Sequence, residues 1–106
     1  MASLSEIRHA IRTQPAVMLF FSAPDCGVCH ALKPKLQDAL AASFPGFEFL
    51  TVDISRHPDI AARYGVFTVP TVVTYLGGKE FFRKSRNMSV PALMEEIRRP
   101  YEVLMG

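Results

Sequence analysis

Tryptophan is absent from this chain, and cysteine occurs only twice, at positions 26 and 29. Two cysteines that close together span too small a loop to staple a fold, so stability has to come from an apolar core. The second pair that would complete a four-ligand zinc or iron–sulfur site is missing too, and no metal is expected. Long hydrophobic runs are also lacking. The longest, Ala16 to Phe21, falls far short of the roughly 20 residues a membrane span needs. Nor does it read as a signal-peptide core, since Glu6, Arg8, His9 and Arg12 precede it and no small-residue cleavage site follows. The expected location is therefore cytoplasmic, with no membrane partner. A large excess of either charge is lacking as well, with 12 Lys and Arg against 10 Asp and Glu. A net charge of +2 provides no basic footprint, and no nucleic-acid partner is expected.

What is present suits one ordinary domain over residues 1–106, with 49% hydrophobic and 21% charged residues. Eight phenylalanines supply the aromatic bulk. The C-terminal half holds the basic excess, including Arg83, Lys84 and Arg86, which reads as a solvated edge strand that discourages aggregation.

The sharpest feature is Cys26-Gly27-Val28-Cys29. It follows the apolar run Val17 to Phe21 and precedes a helical pattern. In a reducing compartment a C-x-x-C pair is more often redox-active or metal-binding than structural. The spacing puts Cys26 at the positive end of a helix dipole, exposed, where a thiolate is favoured. Cys29 lies a turn further in and should be buried. Cys26 is accordingly the attacking thiol and Cys29 the resolving one. Asp25 and His30 are candidate modulators. Asp25 opposes a neighbouring thiolate by like-charge repulsion, and a protonated His30 favours it.

Periodicity and punctuation give the element order. Ser3-Leu4-Ser5-Glu6 fits a capping box for a helix over about 4–13. A strand follows over about 16–22, apolar on both faces. The next helix begins at Cys26 or Gly27 and runs to about Ser43, with Leu32, Leu36, Ala39 and Leu40 facing inward and Pro34 kinking it. Phe47 to Val52 is the second strand, and Asp53 closes it. A short helix spans about 58–64, opened by Pro58. Pro70 to Leu76 and Glu80 to Lys84 form a hairpin about Gly77-Gly78. The last helix covers about 90–99 and is interrupted by Pro100, after which the tail resumes briefly or frays. The fold class is α/β, in the order α-β-α-β-α-β-β-α, with a four-stranded mixed sheet and helices on both faces. Strands separated by helices are expected to pair in parallel. Phe20, Phe21, Phe47, Phe49 and Phe67 are expected in the core.

The stretch Phe20 to His30 resembles the active-site segment of the thioredoxin family. Pro34, Tyr64-Gly65, Val69-Pro70-Thr71 and Tyr75 to Lys79 agree with that family in order and spacing, over roughly residues 5–99. The resemblance implies a thioredoxin fold and a cis Val69–Pro70 bond facing the cysteines. It also implies substrate contacts from Val69 and Pro70, and from Gly27 and Val28 between the thiols, with Phe67 adding to the apolar surround. Departures are equally specific. Asp25 replaces the family's tryptophan, and Val28 its proline. Phe20 and Phe49 stand where a buried aspartate and its lysine partner belong. Arg86 stands near a usual glycine.

The implied function is a thiol-disulfide oxidoreductase that reduces protein disulfides through a Cys26/Cys29 cycle, with no cofactor beyond that redox-active disulfide. A thiol/disulfide reductase or glutathione would supply the electrons. Two other readings compete. One is a redox sensor or interaction module with little turnover. The other is haem attachment, because Cys26-Gly27-Val28-Cys29-His30 also fits C-x-x-C-H, with Met88 or Met94 as a distal ligand.

Overall fold

Local signals open and close most elements of the computed structural model, which describes residues 2–106. Helix α1 (Leu4–Thr13) starts at the expected capping box. Ser3 Oγ accepts from the Glu6 N–H at 3.2 Å, and the Glu6 carboxylate accepts from the Ser3 N–H at 3.0 Å. Strand β1 (Ala16–Ser22), helix α2 (Gly27–Ser43), strand β2 (Phe47–Asp53) and helix α3 (Pro58–Arg63) follow. Strands β3 (Thr71–Leu76) and β4 (Lys79–Ser85) meet at Gly77 and Gly78, whose φ values of 59° and 82° suit the tight hairpin turn. Helix α4 (Val90–Met105) completes the chain.

The sheet order is β2-β1-β3-β4. Strands β1 and β2 are parallel, joined by the α2 crossover. Strand β3 corrects the sequence expectation: although α3 separates it from β2, it runs antiparallel to β1. Helix α3 and its flanking turns return the chain at the same end of the sheet, Asp53 beside Ser22 and Thr71 beside Phe21, so it enters β3 where β2 finished.

Because side chains alternate along a strand, β1 feeds two cores. Met18 and Phe20 face Leu32, Leu36 and Leu40 of α2 and Leu93 and Ile97 of α4. Val17, Leu19 and Phe21 face Ile7 of α1 and Ile60 of α3. Both faces of the sheet are thus covered, and β1 is buried from Ala16 to Phe21.

Helix α4 runs on past Pro100, a second correction. The proline deletes one intrahelical bond, but Tyr101 anchors the helical turn beyond it. The Tyr101 ring packs against Phe44 and Phe47 at 4.9 and 5.7 Å, and its hydroxyl accepts from the Gly46 N–H at 2.8 Å. A Cβ on Gly46 would come within 2.7 Å of that hydroxyl, so the contact needs glycine. Tertiary packing outweighs the local penalty at Pro100.

Two positions carry local cost. The Thr74 hydroxyl is fully buried and has no hydrogen-bond partner among the described residues. Thr74→Val removes an unpaired polar group and should raise stability by about 1 kcal/mol. Chemical denaturation checks this, and a lower midpoint at unchanged m-value would count against it. Arg86 holds φ at 65° while its N–H donates to the Pro70 carbonyl at 2.8 Å. Left-handed backbone costs a side-chain-bearing residue about 1–2 kcal/mol, partly offset in glycine by chain entropy. Arg86→Gly should therefore gain up to about 1 kcal/mol, or roughly 4–8 °C in Tm per kcal/mol. A fall in Tm would refute this account.

Candidate active site

Strand β1 delivers the chain to the thiols. After Ser22 the backbone turns, with the Cys26 N–H donating to the Ala23 carbonyl at 3.1 Å. Cys26 is the N-cap of α2, in extended conformation, and its Sγ accepts from the Cys29 N–H at 3.2 Å. The two cysteines form a disulfide with their Cα atoms 5.3 Å apart. Cys26 is half-buried rather than exposed as expected, because it packs against the core cluster, and Cys29 is only 2% exposed. Of the two cysteines, Cys26 at the helix end is the less buried. Once reduced, it would face the helix's free N–H groups and the Cys29 amide, an environment that favours an anion.

His30 is exposed and tied to this turn. Its ring Nε2 lies 2.8 Å from the Pro24 carbonyl, and its backbone N–H donates to the Cys26 carbonyl at 3.2 Å. A carbonyl only accepts, so Nε2 carries a proton and donates. In the neutral ring Nδ1 is then the acceptor. His30 thus straps the loop before Cys26 to the helix after it. Sequence reading offered His30 as an electrostatic modulator, and periodicity has no signal for such a strap. Asp25 is exposed at the tip of the same turn.

The Val69–Pro70 bond is cis. Val69 packs, with Cys26, against the core cluster that contains Cys29. Three contacts hold this segment. The Thr71 hydroxyl donates to the Thr68 carbonyl at 2.7 Å and lies 3.0 Å from Ser85 Oγ, while Arg86 donates to Pro70. Thr71, Ser85 and Arg86 therefore support the site, a role the sequence reading did not give them. The threonine after the proline was the available signal.

Gly27 has open space around its Cα, so no crowding requires glycine there. Val28 is 61% exposed. Phe67 corrects the expectation of a core residue, being 80% exposed. It lies in the link between α3 and the cis proline, where its neighbour Val66 turns inward instead.

Beneath the thiols, Phe20 is fully buried and stacks on Phe49, with ring centres 5.9 Å apart and planes at 27°. An aromatic pair, with no charged group, fills this part of the core. Asp53 is the sole buried charged side chain among the described residues. It accepts from Ser55 Oγ at 2.6 Å and from the Ser55 N–H at 2.9 Å, and these bonds hold its carboxyl below the usual range. It closes β2 and serves that turn. His57 caps α3 without a side-chain bond, and Lys33 and Lys35 lie along α2. Among the described residues, no helix is long and apolar enough to cross a membrane, and no group of three potential metal ligands forms.

The family model described as Thioredoxin matches residues 3–99 of this chain. The chain is 31% identical over 104 residues to Thioredoxin-like protein YdfQ of Bacillus subtilis, covering 98% of this chain and 92% of that one. It is 33% identical over 78 residues to a thioredoxin of Mycoplasma genitalium, covering 74% and 76% respectively. In structure it is similar to oxidized mitochondrial thioredoxin 3 from Saccharomyces cerevisiae. That match has a TM-score of 0.80 and 28% identity, and covers 92% of this chain and 91% of the other.

Proposed function

The chain belongs to the thioredoxin family, and from that premise we propose that it reduces protein disulfides through a Cys26/Cys29 dithiol cycle. The carrying observation is the asymmetry of the pair. Cys26 is reachable at the N-cap, where its Sγ accepts an amide hydrogen bond, while Cys29 is enclosed behind it.

In the proposed cycle the Cys26 thiolate attacks one sulfur of a client disulfide. The client S–S bond breaks, a mixed disulfide forms, and the departing client thiolate takes up a proton. Cys29 then loses its proton and attacks Cys26 Sγ, releasing the second client thiol. Two electrons and two protons pass from the dithiol to the client, so no further cofactor is needed. A thiol/disulfide reductase or glutathione returns the pair to the dithiol, which suits a reducing compartment such as the cytoplasm.

Gly27 and Val28 on one side, and Val69 and Pro70 on the other, would hold an extended client segment, with backbone pairing at Val69. Phe67 and Val28 extend an apolar contact surface.

The Phe20–Phe49 pair favours a second reading, a redox sensor or docking module with slow turnover, because it provides no buried acid to take the Cys29 proton. Insulin reduction by the dithiol form and the Cys26/Cys29 reduction potential test the two together. Turnover slower than a standard thioredoxin's is expected. The potential should lie at or below a glutathione poise of roughly −220 to −260 mV. No insulin reduction, or a much more oxidising potential, would overturn the reductase reading in favour of the sensor.

A further inference from the structure

A cavity of 370 Å³ lies on the α1 side of the sheet, lined by Arg8, Ile11, Arg12, Tyr64, Tyr75 and Gly78. We propose that it binds a small phosphate monoester with an aromatic body. Arg8 and Arg12 stand one helical turn apart on the same face of α1. Both are exposed, and neither has an ion-pair partner among the described residues. Across from them, the Tyr64 and Tyr75 rings meet edge to face with centres 6.5 Å apart. Neither hydroxyl is engaged in a hydrogen bond among the described residues.

The donor set is larger than a carboxylate's two oxygens need. Two guanidinium forks and two phenolic O–H groups match the three oxygens and double charge of a phosphate monoester. The tyrosines remain donors at physiological pH, because burial raises both and, with help from Glu80, pushes Tyr75 up to about 12. Glu80 is the carboxylate whose charge acts on that phenol. Both its oxygens are taken by Arg83, at 2.8 and 2.9 Å, so it does little to repel an anion. Ile11 and the tyrosine rings give the cavity an apolar wall against which a ring can lie. The cavity takes no part in the thiol chemistry.

The test is a titration of the oxidised protein with phenyl phosphate, followed by amide NMR shifts. Saturable shifts are expected at Ile11, Arg12 and Gly78. Arg8→Gln with Arg12→Gln should weaken binding by about tenfold or more, since two charge-assisted contacts are lost. Arg98→Gln with Arg99→Gln removes the same charge elsewhere and should leave binding unchanged. The proposal is overturned by absence of saturable shifts at these amides, or by an equal loss in both double variants. Inorganic phosphate binding as tightly as phenyl phosphate would overturn the aromatic preference.

Discussion

Phe20→Asp, which places a carboxylate in this core, should destabilise this protein by about 4 kcal/mol at neutral pH. Phe20 is fully buried, stacked on Phe49 and packed in the cluster that contains Cys29. Substitution removes a large ring and leaves a carboxylate without a partner. For a chain of this size the loss amounts to a drop in Tm of about 15 °C or more. The penalty depends on pH with a definite sign. A desolvated Asp at position 20 has a folded-state pKa above its unfolded value of about 3.9. The variant therefore loses stability as pH rises above about 4 and regains part of it on acidification toward that value. The difference in Tm between parent and variant should be smaller at pH 5 than at pH 8. Adding Phe49→Lys supplies a countercharge, and the double-mutant cycle should show a favourable coupling of about 1–3 kcal/mol. A single variant as stable as the parent at pH 8 would mean that this core is more hydrated than its packing implies.

Cys26→Ser should lower disulfide reduction by more than about a thousandfold, because the nucleophile is gone. The fold should survive, since serine is a preferred N-cap and its Oγ can accept the Cys29 N–H as Sγ does now. Cys29→Ser should behave differently. Cys26 remains reachable and can still form a mixed disulfide, but nothing resolves it. Client proteins should accumulate on Cys29→Ser as thiol-releasable adducts and be absent from Cys26→Ser. Circular dichroism and non-reducing electrophoresis read both outcomes. Equal trapping by the two variants would reverse or abolish the assigned roles of the cysteines.

Much of the fold was legible because it rests on short-range signals. The Ser3–Glu6 box, Pro58 at the start of α3 and the Gly77-Gly78 turn act within a few residues, and each element begins or ends at its signal. The placement of the thiol pair was legible for the same reason: Cys26 caps α2 because an apolar strand and a helical pattern meet there. Where the sequence reading erred, partners distant in the chain had decided. Nothing near residue 100 announces that Tyr101 will find Gly46 and hold the helix beyond Pro100. Phe67 looks like core by composition, yet the link that carries it turns Val66 inward and leaves Phe67 in solvent.

The α/β element order, a strand buried on both faces and a thiol pair at the start of a helix could be read before any fold was known. Those properties depend on residue type and spacing along the chain. That β3 runs antiparallel to β1 lies in no local pattern, because it depends on the end of the sheet at which the α3 link returns the chain. The tertiary structure also decided the surroundings of the thiols. The His30 strap, the Thr71 and Arg86 contacts beside the cis proline, and the stacked Phe20–Phe49 pair all join residues on different elements. Such contacts form only when chain closure brings those elements together, and no local pattern encodes them.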